Sequence, residues 1–378
     1  MNVSVCRETA DHEKRVALTP DGVAKLTGMG VGVLVESGAG EAASYTDESY
    51  REAGAEVMAD RSELLAATDL LLAVQLPEAA ILDALRKGTV LASFVWGKAR
   101  PELVDDLEKR GIVTLAMDAV PRISRAQSMD ALSSMSNIAG YKAVLLAAAA
   151  LDRYMPMMMT AAGTIPPAKA LILGAGVAGL QAIATARRLG AVVEAFDVRP
   201  AVKEQVQSLG ASFVDVPLEQ EDTETKGGYA KELSERNQQL QREVLTQHIR
   251  KSDIVITTAL IPGRPAPTLI TREMAEGMAP GSVIVDIAAE QGGNCELTRA
   301  GETVVHQGVQ IVGPLNLPST LANHASRLYS RNMLSLLGLL IKGGELAFDF
   351  NDEIVAESVV AGRELAPQPV EPAQTADA

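Results

Sequence analysis

Residues 170–199 constrain the fold of this chain more than any other segment. An apolar run typical of a buried parallel strand leads directly into Gly174, Gly176 and Gly179, which form the pattern G-x-G-x-x-G. A helical pattern follows, and a second apolar run then ends at Asp197. This order of strand, glycine turn, helix, strand and acid is typical of dinucleotide-binding proteins, and it predicts such a fold here.

Each part of the glycine turn has a physical role in binding a pyrophosphate. Gly174 permits the tight turn, Gly176 lets the backbone approach the phosphates because it has no Cβ, and Gly179 allows close packing of helix and strand. The helix N-terminus offers unpaired N–H groups and the positive end of its dipole. The alternative interpretation is a glycine-rich turn that binds nothing.

The acid at the end of the second strand bears on the choice of cofactor. Asp197 can accept hydrogen bonds from the adenosine ribose hydroxyls, and its charge would repel a 2′-phosphate. NAD(H) is therefore the predicted cofactor. Arg199 lies two residues further on and could hold a 2′-phosphate, but a solvated or ion-paired surface arginine is the interpretation we prefer.

The bulk composition excludes several classes of protein. With 378 residues, of which 47% are hydrophobic, the chain is long enough for two domains with separate cores. A net charge of −14 argues against binding to nucleic acid or directly to anionic lipid. The apolar stretches are shorter than the roughly 20 residues of a membrane-spanning helix, and charged residues interrupt the start where a signal peptide would be apolar.

No metal-ligand spacing surrounds the cysteines, and no metal site is expected. Cys6 and Cys295 are far apart in sequence, and two buried, reduced thiols in a cytosolic protein are expected. The histidines fit no catalytic pattern and are expected in surface or core positions: His12, His248, His306 and His324.

Strand-like and helix-like patterns alternate along the first 130 residues, which indicates a doubly wound α/β domain with a parallel sheet. The predicted strands are 31–35, 70–74, 90–94 and 113–116, and the predicted helices are 20–28, 62–67, 77–86 and 101–110. A long helical pattern at 133–155 is expected to lead into a second α/β domain, and another at 332–341 to return to the first.

The expected architecture is two doubly wound, Rossmann-like domains with parallel sheets and the NAD cleft between them. The second domain opens with a turn at 160–169 and continues through strands near 254–257, 283–287 and 310–312. From Ala366 onward the sequence lacks hydrophobic periodicity, which predicts a disordered tail. The predicted domains are residues 1–132 with 325–365, residues 133–324, and the tail at 366–378.

A polar insertion at 219–243 interrupts the second domain and is longer than most loops in compact domains. One interpretation is a mobile lid, with Gly227 and Gly228 as the hinge and Tyr229 touching the bound nucleotide. The other is a solvated surface excursion that ends in a charged helix. The sequence favours neither.

Six segments together carry a resemblance to a known family. They are RETADHEKRVALTP (7–20), PRISRAQSMDALSSMSNIAGYKAV (121–144), LGAGVAGL (173–180), DVRPAVKEQVQSLGA (197–211), KGGYAKE (226–232) and DIAAEQGGNCE (286–296). The pattern resembles the NAD(H)-binding component, domain I or alpha-1, of the proton-translocating nicotinamide nucleotide transhydrogenases. The alanine dehydrogenases are broader relatives, and the resemblance covers residues 1–365.

The resemblance implies an oxidoreductase of the Re/Si-specific class that passes hydride directly from NADH to NADP⁺ on an NADP(H)-binding partner subunit. A membrane-spanning subunit would couple this transfer to proton translocation. The chain would form a homodimer and lie in the cytoplasm, peripheral to the inner membrane through its partners. Catalysis would consist of the proximity and orientation of two nicotinamides in a dry interface.

The resemblance also implies roles for particular residues. The pyrophosphate turn would comprise Gly174, Gly176, Val177 and Gly179, and the adenosine ribose would meet Asp197, Val198 and Arg199. Tyr229 would be the tip of the mobile loop, and Leu260 completes the cofactor-binding set. A catalytic loop would hold the nicotinamide end through Arg122, Gln127, Asp130 and Ser133, with Gln127 also reaching toward the partner's nucleotide.

The catalytic loop has a plainer interpretation as a helix-initiating segment, with Ser128 and Asp130 as N-cap residues. An ion pair between Arg122 and Asp130 could shape it.

Two rival functions differ from the transhydrogenase in chemistry. An amino-acid dehydrogenase needs a general acid/base and cationic groups for a carboxylate. Where the alanine dehydrogenases place a histidine, a lysine and an aspartate, this chain has Trp96, Gln75 and Glu290. Arg15 persists from the substrate side and could equally be a structural ion-pair partner. The second rival is a nucleotide-sensing or scaffolding module without chemistry.

Overall fold

The computed structural model describes residues 1–216, 234–260 and 265–368. The chain divides into two compact units. The first unit combines Met1–Met135 with the described part of Ser319–Ala378, and the second unit comprises Ser136–Pro318. The domain limits that the sequence suggests, 1–132 with 325–365 and 133–324, remain predictions.

The strands and helices are numbered along the chain. The strands are β1 (Asn2–Val5), β2 (Gly32–Glu36), β3 (Glu56–Met58), β4 (Leu70–Leu72), β5 (Val90–Ser93), β6 (Val113–Ala116), β7 (Met158–Thr160), β8 (Gly163–Ile165), β9 (Lys169–Leu173), β10 (Val192–Phe196), β11 (Ser212–Phe213), β12 (Ile254–Thr257), β13 (Val283–Asp286), β14 (Thr303–His306), β15 (Val309–Val312), β16 (Ile341–Lys342), β17 (Glu345–Leu346) and β18 (Val359–Ala361). The α-helices are α1 (Pro20–Gly28), α2 (Asp47–Glu52), α3 (Arg61–Ala66), α4 (Ala79–Ala84), α5 (Pro101–Arg110), α6 (Ala131–Ala150), α7 (Val177–Arg188), α8 (Lys203–Ser208), α9 (Glu235–Ile249), α10 (Arg272–Glu276), α11 (Ala322–Leu340) and α12 (Glu353–Ser358).

The first unit contains a seven-stranded sheet in the order β18-β6-β5-β4-β1-β2-β3. Its strands run parallel except β18, which pairs antiparallel with β6. The central strands are buried on both faces, as in β4, where Leu70, Leu71 and Leu72 are all at most 1% exposed. A strand buried on both faces reads as a continuous apolar run, which is why the sequence revealed β4, β5 and β6.

Several elements of the first unit were not predicted, among them β1, β3 and α2 near its start and β16, β17, α12 and β18 near its end. Strands β1 and β3 have only four and three residues, so their apolar runs are too short to stand out. Helix α2 has the polar sequence DESYRE and buries only Tyr50 within its own span. It begins at a cap instead, because the Thr46 hydroxyl accepts a hydrogen bond from the Ser49 N–H at 3.2 Å.

The second unit contains another seven-stranded sheet, in the order β11-β10-β9-β12-β13-β15-β14. Only β14 is antiparallel to its neighbour in this sheet. The prediction of a simple turn at 160–169 is wrong, because β7 and β8 form a separate two-stranded hairpin before β9 begins. The two predominantly parallel sheets confirm the predicted fold class.

The two long helices, α6 and α11, differ in extent from their predictions. Helix α6 ends at Ala150 rather than Met155, ahead of Pro156. Helix α11 begins ten residues before the predicted Asn332. Its first turns bury the serines Ser326 and Ser330, which interrupt the apolar periodicity that the prediction relied on. Among the helices described, none is long and apolar enough to cross a membrane.

The predicted disordered tail begins too early in the sequence. Ala366 is 5% exposed, and the Pro367 carbonyl accepts a hydrogen bond from the Phe348 N–H at 2.8 Å. Burial and a backbone hydrogen bond therefore fix the chain past residue 365. Residues 369–378 lie outside the described part of the chain.

Candidate functional site

The glycine turn follows β9 at the carboxyl edge of the second sheet. Gly174 has a φ of +99°, which only glycine adopts at little cost, and its N–H donates to the Phe196 carbonyl at 2.8 Å. A Cβ on Gly179 would lie 1.9 Å from the Gly174 carbonyl oxygen, so glycine is also required there for packing. These contacts join β9, α7 and β10 into one rigid turn.

Gly176 differs from the other two glycines. It caps α7 with an ordinary φ of −76°, and no side chain caps the helix. A Cβ at Gly176 would have no described protein atom within 4 Å. Neither conformation nor packing therefore requires glycine at this position. An uncapped helix N-terminus beside open space is a ready anion site.

The Asp197 carboxylate at the end of β10 is only 8% exposed and already holds several hydrogen bonds. It accepts the N–H of Ala175 at 2.7 Å and the N–H of Arg199 at 2.9 Å. The Arg199 guanidinium donates to both carboxylate oxygens, at 2.9 Å through Nε and 2.8 Å through Nη2. Because a carboxylate has about four acceptor sites, ribose hydroxyls would have to share or replace these donors.

The predicted character of Arg199 is therefore half right. It is ion-paired, but its side chain is only 14% exposed rather than on the surface. Its charge is balanced by Asp197, so it is not an isolated cation poised for a 2′-phosphate. Val198, between the two, packs against the buried cluster around Leu171 and Leu173.

The residues that follow β12 also lie at this carboxyl edge of the sheet. The Thr258 N–H donates to the Leu173 carbonyl at 2.8 Å, and its hydroxyl donates to the Gly174 carbonyl at 3.2 Å. Leu260 follows two residues later and is 36% exposed, a high value for an apolar side chain beside a sheet edge. Strand ends β9, β10 and β12 thus place the glycine turn, Asp197 and Leu260 at the same edge of the sheet.

The residues of the predicted catalytic loop lie in the first unit. Arg122 precedes a 3₁₀ helix (Ser124–Met129) that contains Gln127, Asp130 lies between this helix and α6, and Ser133 lies in the first turn of α6. Asp130 accepts the Ser133 N–H at 2.8 Å and the Ser133 hydroxyl at 2.6 Å, so it caps α6 as the plainer interpretation expected. Ser128, the other predicted cap residue, lies within the 3₁₀ helix instead. Arg122 and Gln127 are exposed, while Ser133 is half-buried.

Two residues that the sequence did not single out anchor this loop within the first unit. The Asn332 amide on α11 donates to the Ser128 carbonyl at 2.8 Å. The Arg125 guanidinium binds both oxygens of Asp352 at 2.6 and 2.7 Å, and this pairing lowers the pKa of Asp352. Their anchoring role could not be predicted, because both partners come from more than 200 residues away in sequence.

The positions matched to the dehydrogenase residues hold an indole at Trp96, an amide at Gln75 and an exposed carboxylate at Glu290. Arg15 binds Glu13 through Nε at 2.7 Å and Nη2 at 2.6 Å, and the Gln75 amide donates to the same carboxylate at 2.9 Å. Burial raises the pKa of Glu13, but the hydrogen bonds and charge of Arg15 outweigh it and lower that pKa to about 2. Trp96 is 40% exposed and stacks on Phe94, and Glu290 is exposed. Arg15 therefore serves as a structural ion-pair partner.

Two histidines contact glutamates, and both cysteines are buried. His248 and His306 each contact one glutamate at 2.7 Å, Glu194 and Glu276 respectively. Cys6 and Cys295 are buried and free, as expected. Across residues 1–216, 234–260 and 265–368, no cluster of three or more histidines, cysteines and acids could hold a metal ion.

The predicted lid residues Gly227, Gly228 and Tyr229 lie outside the described residues. The charged helix expected after them exists as α9, which is capped by the Ser234 hydroxyl accepting from the Asn237 N–H.

A predominantly parallel α/β sheet with a glycine turn, an open helix N-terminus and a strand-end carboxylate places the protein in the Rossmann-like, dinucleotide-binding class. Comparison with known families narrows this class. Residues 4–139 match the N-terminal domain, and residues 143–364 the C-terminal domain, of alanine dehydrogenase/PNT. The chain belongs to this alanine dehydrogenase/PNT family.

The transhydrogenase branch of the family is the more similar one. The chain is 50% identical over 343 residues to the first of the polypeptides that make up NAD(P) transhydrogenase subunit alpha in Rhodospirillum rubrum, covering 89% of each chain. A solved transhydrogenase structure from Sinorhizobium meliloti matches with a TM-score of 0.86 and 45% identity over 96% of this chain and 98% of that one. Alanine dehydrogenase of Halomonas elongata is 31% identical over 365 residues, covering 94% of this chain and 92% of that one. The predicted resemblance is therefore confirmed.

Proposed function

We propose that this chain is the NAD(H)-binding component of a proton-translocating NAD(P)⁺ transhydrogenase. It holds NADH while hydride passes directly to NADP⁺ on an NADP(H)-binding partner subunit. A membrane-spanning subunit couples that transfer to proton translocation, and the homodimeric chain stays peripheral to the membrane through these partners. The relatives named as subunit alpha, or as one portion of it, support a multi-subunit assembly.

One observation favours a transhydrogenase over an amino-acid dehydrogenase. The glycine turn and the strand-end Asp197 that we assign to the nucleotide are both present, whereas Trp96 occupies the position where the dehydrogenases have an imidazole. An indole cannot take a proton from an amino acid, and oxidation of an amino acid requires such a base. Hydride exchange between two nicotinamides moves no proton to or from the reacting carbons. It needs orientation and the exclusion of water.

We assign the pyrophosphate and the adenosine of the cofactor to the second unit. Gly174, Gly176, Val177 and Gly179 hold the pyrophosphate at the start of α7. Asp197, with Val198 and Arg199, takes the adenosine ribose. Leu260 covers the nucleotide from the segment after β12. Tyr229 is proposed to close over it.

The nicotinamide end is assigned to the loop that precedes α6. Asp130 and Ser133 fix the start of that helix through their mutual hydrogen bonds. Arg122 and Gln127 remain exposed on the preceding segment, and both present hydrogen-bond donors. We propose that Gln127 orients the two nucleotides toward each other, and that the other three residues hold the dihydronicotinamide.

The direct test combines the purified chain with an NADP(H)-binding transhydrogenase subunit and follows hydride transfer from NADH to an NADP⁺ analogue. Rapid transfer is expected only when both proteins are present, and each protein alone is the control. Intact NADH binding without transfer would refute the proposed reaction and favour a sensing module.

Arg15 is the one observation that favours an alanine dehydrogenase-like activity, because a guanidinium is suited to a substrate carboxylate. In this structure both its Nε and Nη2 already bind Glu13. Reduction of NAD⁺ by the purified chain with alanine would establish this second function. We expect none.

A further inference from the structure

Asn294 has a side chain whose hydrogen bonds are directed entirely at one backbone segment. The residue is 0% exposed. Its Oδ1 accepts the Ala259 N–H at 3.1 Å, and its Nδ2 donates to the Ala259 carbonyl at 2.9 Å. The second Nδ2 hydrogen goes to the Pro267 carbonyl at 2.8 Å. The amide thus pairs with both backbone polar groups of Ala259 and also binds the Pro267 carbonyl.

The backbone of Asn294 is itself held by Asp286, a fully buried acid at the end of β13. The Asp286 carboxylate accepts the N–H groups of Asn294 at 2.7 Å and Cys295 at 3.0 Å. It also accepts the Thr257 hydroxyl at the end of β12 at 2.9 Å. Through Asp286 and Thr257, Asn294 is therefore linked to the ends of β13 and β12, and its backbone is held in place.

Ala259 lies between two groups at the nucleotide edge. Thr258, before it, donates its hydroxyl to the Gly174 carbonyl, and Leu260, after it, is exposed at that edge. Ligands of open parallel sheets bind outside the carboxyl ends of the strands, where these residues lie. A side chain that fixes both polar groups of Ala259 therefore fixes the direction in which Leu260 projects.

We propose that Asn294 is a positioning residue for the nucleotide, which acts by clamping Ala259 and Pro267 so that Leu260 stands against the bound dinucleotide. This inference rests on the proposed binding of NAD(H) by the second unit. Asn294 itself does not touch the cofactor.

The test uses Asn294→Ala and the isosteric Asn294→Asp, which keeps the acceptor for the Ala259 N–H but loses both donors. Gln310→Ala is the matched control, because the Gln310 amide donates to the Ala150 carbonyl at 3.0 Å on a different strand of the same unit. NADH affinity is measured by the fluorescence of bound NADH, and backbone protection at Ala259 by amide hydrogen exchange.

We expect Asn294→Ala to raise the Kd for NADH about tenfold and to accelerate exchange at the Ala259 amide. Asn294→Asp should weaken binding at least as much, because its second carboxyl oxygen would face the Ala259 and Pro267 carbonyls, and Gln310→Ala should change the Kd by less than about twofold. An Asn294→Ala variant that binds like the unaltered chain overturns the positioning role. If that variant does not fold, an Asn294→Asp variant of unaltered affinity overturns it instead. Failure of the unaltered chain to bind NADH would refute the proposed function, and this inference with it.

Discussion

Replacing Gly176 with alanine tests whether glycine is needed at this position for folding or for binding of the nucleotide. Its φ of −76° and ψ of −168° suit alanine, and the added Cβ would meet no described protein atom within 4 Å. Alanine also restricts the unfolded chain, so Gly176→Ala should stabilise the protein by about 0.4–1 kcal/mol. A pyrophosphate that contacts this backbone would be displaced by the methyl group.

The size of the expected loss follows from the hydrogen bonds at the helix N-terminus. Each bond from an N–H to a charged oxygen contributes about 1.5–3 kcal/mol, so losing one raises the Kd for NADH roughly ten- to a hundredfold. Thermal unfolding and NADH fluorescence titration measure the two effects on the same sample. Gly179→Ala is the contrasting variant, because its Cβ would lie 1.9 Å from the Gly174 carbonyl oxygen. It should destabilise the fold by about 1–3 kcal/mol.

A Gly176→Ala protein that is more stable and binds NADH with unaltered affinity would refute the reasoning. It would mean that no phosphate approaches this turn, and the glycine pattern would then serve only the packing of α7 on β9. Reduced stability would show instead that the space beside Gly176 is not open.

Three further predictions concern the first unit. Gln127→Asn should slow hydride transfer to the partner's nucleotide far more than it weakens NADH binding, and equal losses in stopped-flow transfer and fluorescence titration would contradict its positioning role. Glu13→Ala should lower the free energy of unfolding by about 3–5 kcal/mol in urea melts, because it leaves Arg15, whose side chain is 3% exposed, without its partner carboxylate. The free energy of unfolding of the unaltered chain should fall as the pH rises through 7, and Glu8→Gln should abolish this fall. Burial raises the pKa of Glu8 to about 7, so its neutral form stabilises the folded state below pH 4 and that contribution, about 3 kcal/mol, disappears as the pH rises through 7. Parallel pH profiles for the variant and the unaltered chain would disprove this assignment.

The sequence revealed those parts of the fold that depend on local pattern. The glycine turn, β9, α7 and β10 could be predicted because conformation and packing at Gly174 and Gly179 demand particular residues in a fixed order. Helix α2 and the first turns of α11 could not, because their stability comes from a cap and from serines buried by distant segments. Short strands such as β3 gain their stability from neighbours in the sheet rather than from their own residues.

The candidate site shows the same division. Asp197 could be predicted from its place at the end of β10, but its pairing with Arg199 depends on side-chain directions that no spacing encodes. The role of Asn294 required the three-dimensional path of the chain at Ala259 and Pro267. The anchoring of the loop by Arg125 and Asn332 likewise joins segments that are remote in sequence.

The pairing of β18 with β6 has a consequence for the order in which the nascent chain acquires structure. On a ribosome, the sheet formed by β1–β6 must wait for Val359–Ala361 before its edge is complete. At about 5–20 residues per second, the intervening chain takes on the order of ten to fifty seconds to emerge. The whole second unit is made during that interval and can fold first. Until β18 arrives, the unpaired backbone of β6 is a surface that a chaperone, or another unfinished chain, can bind.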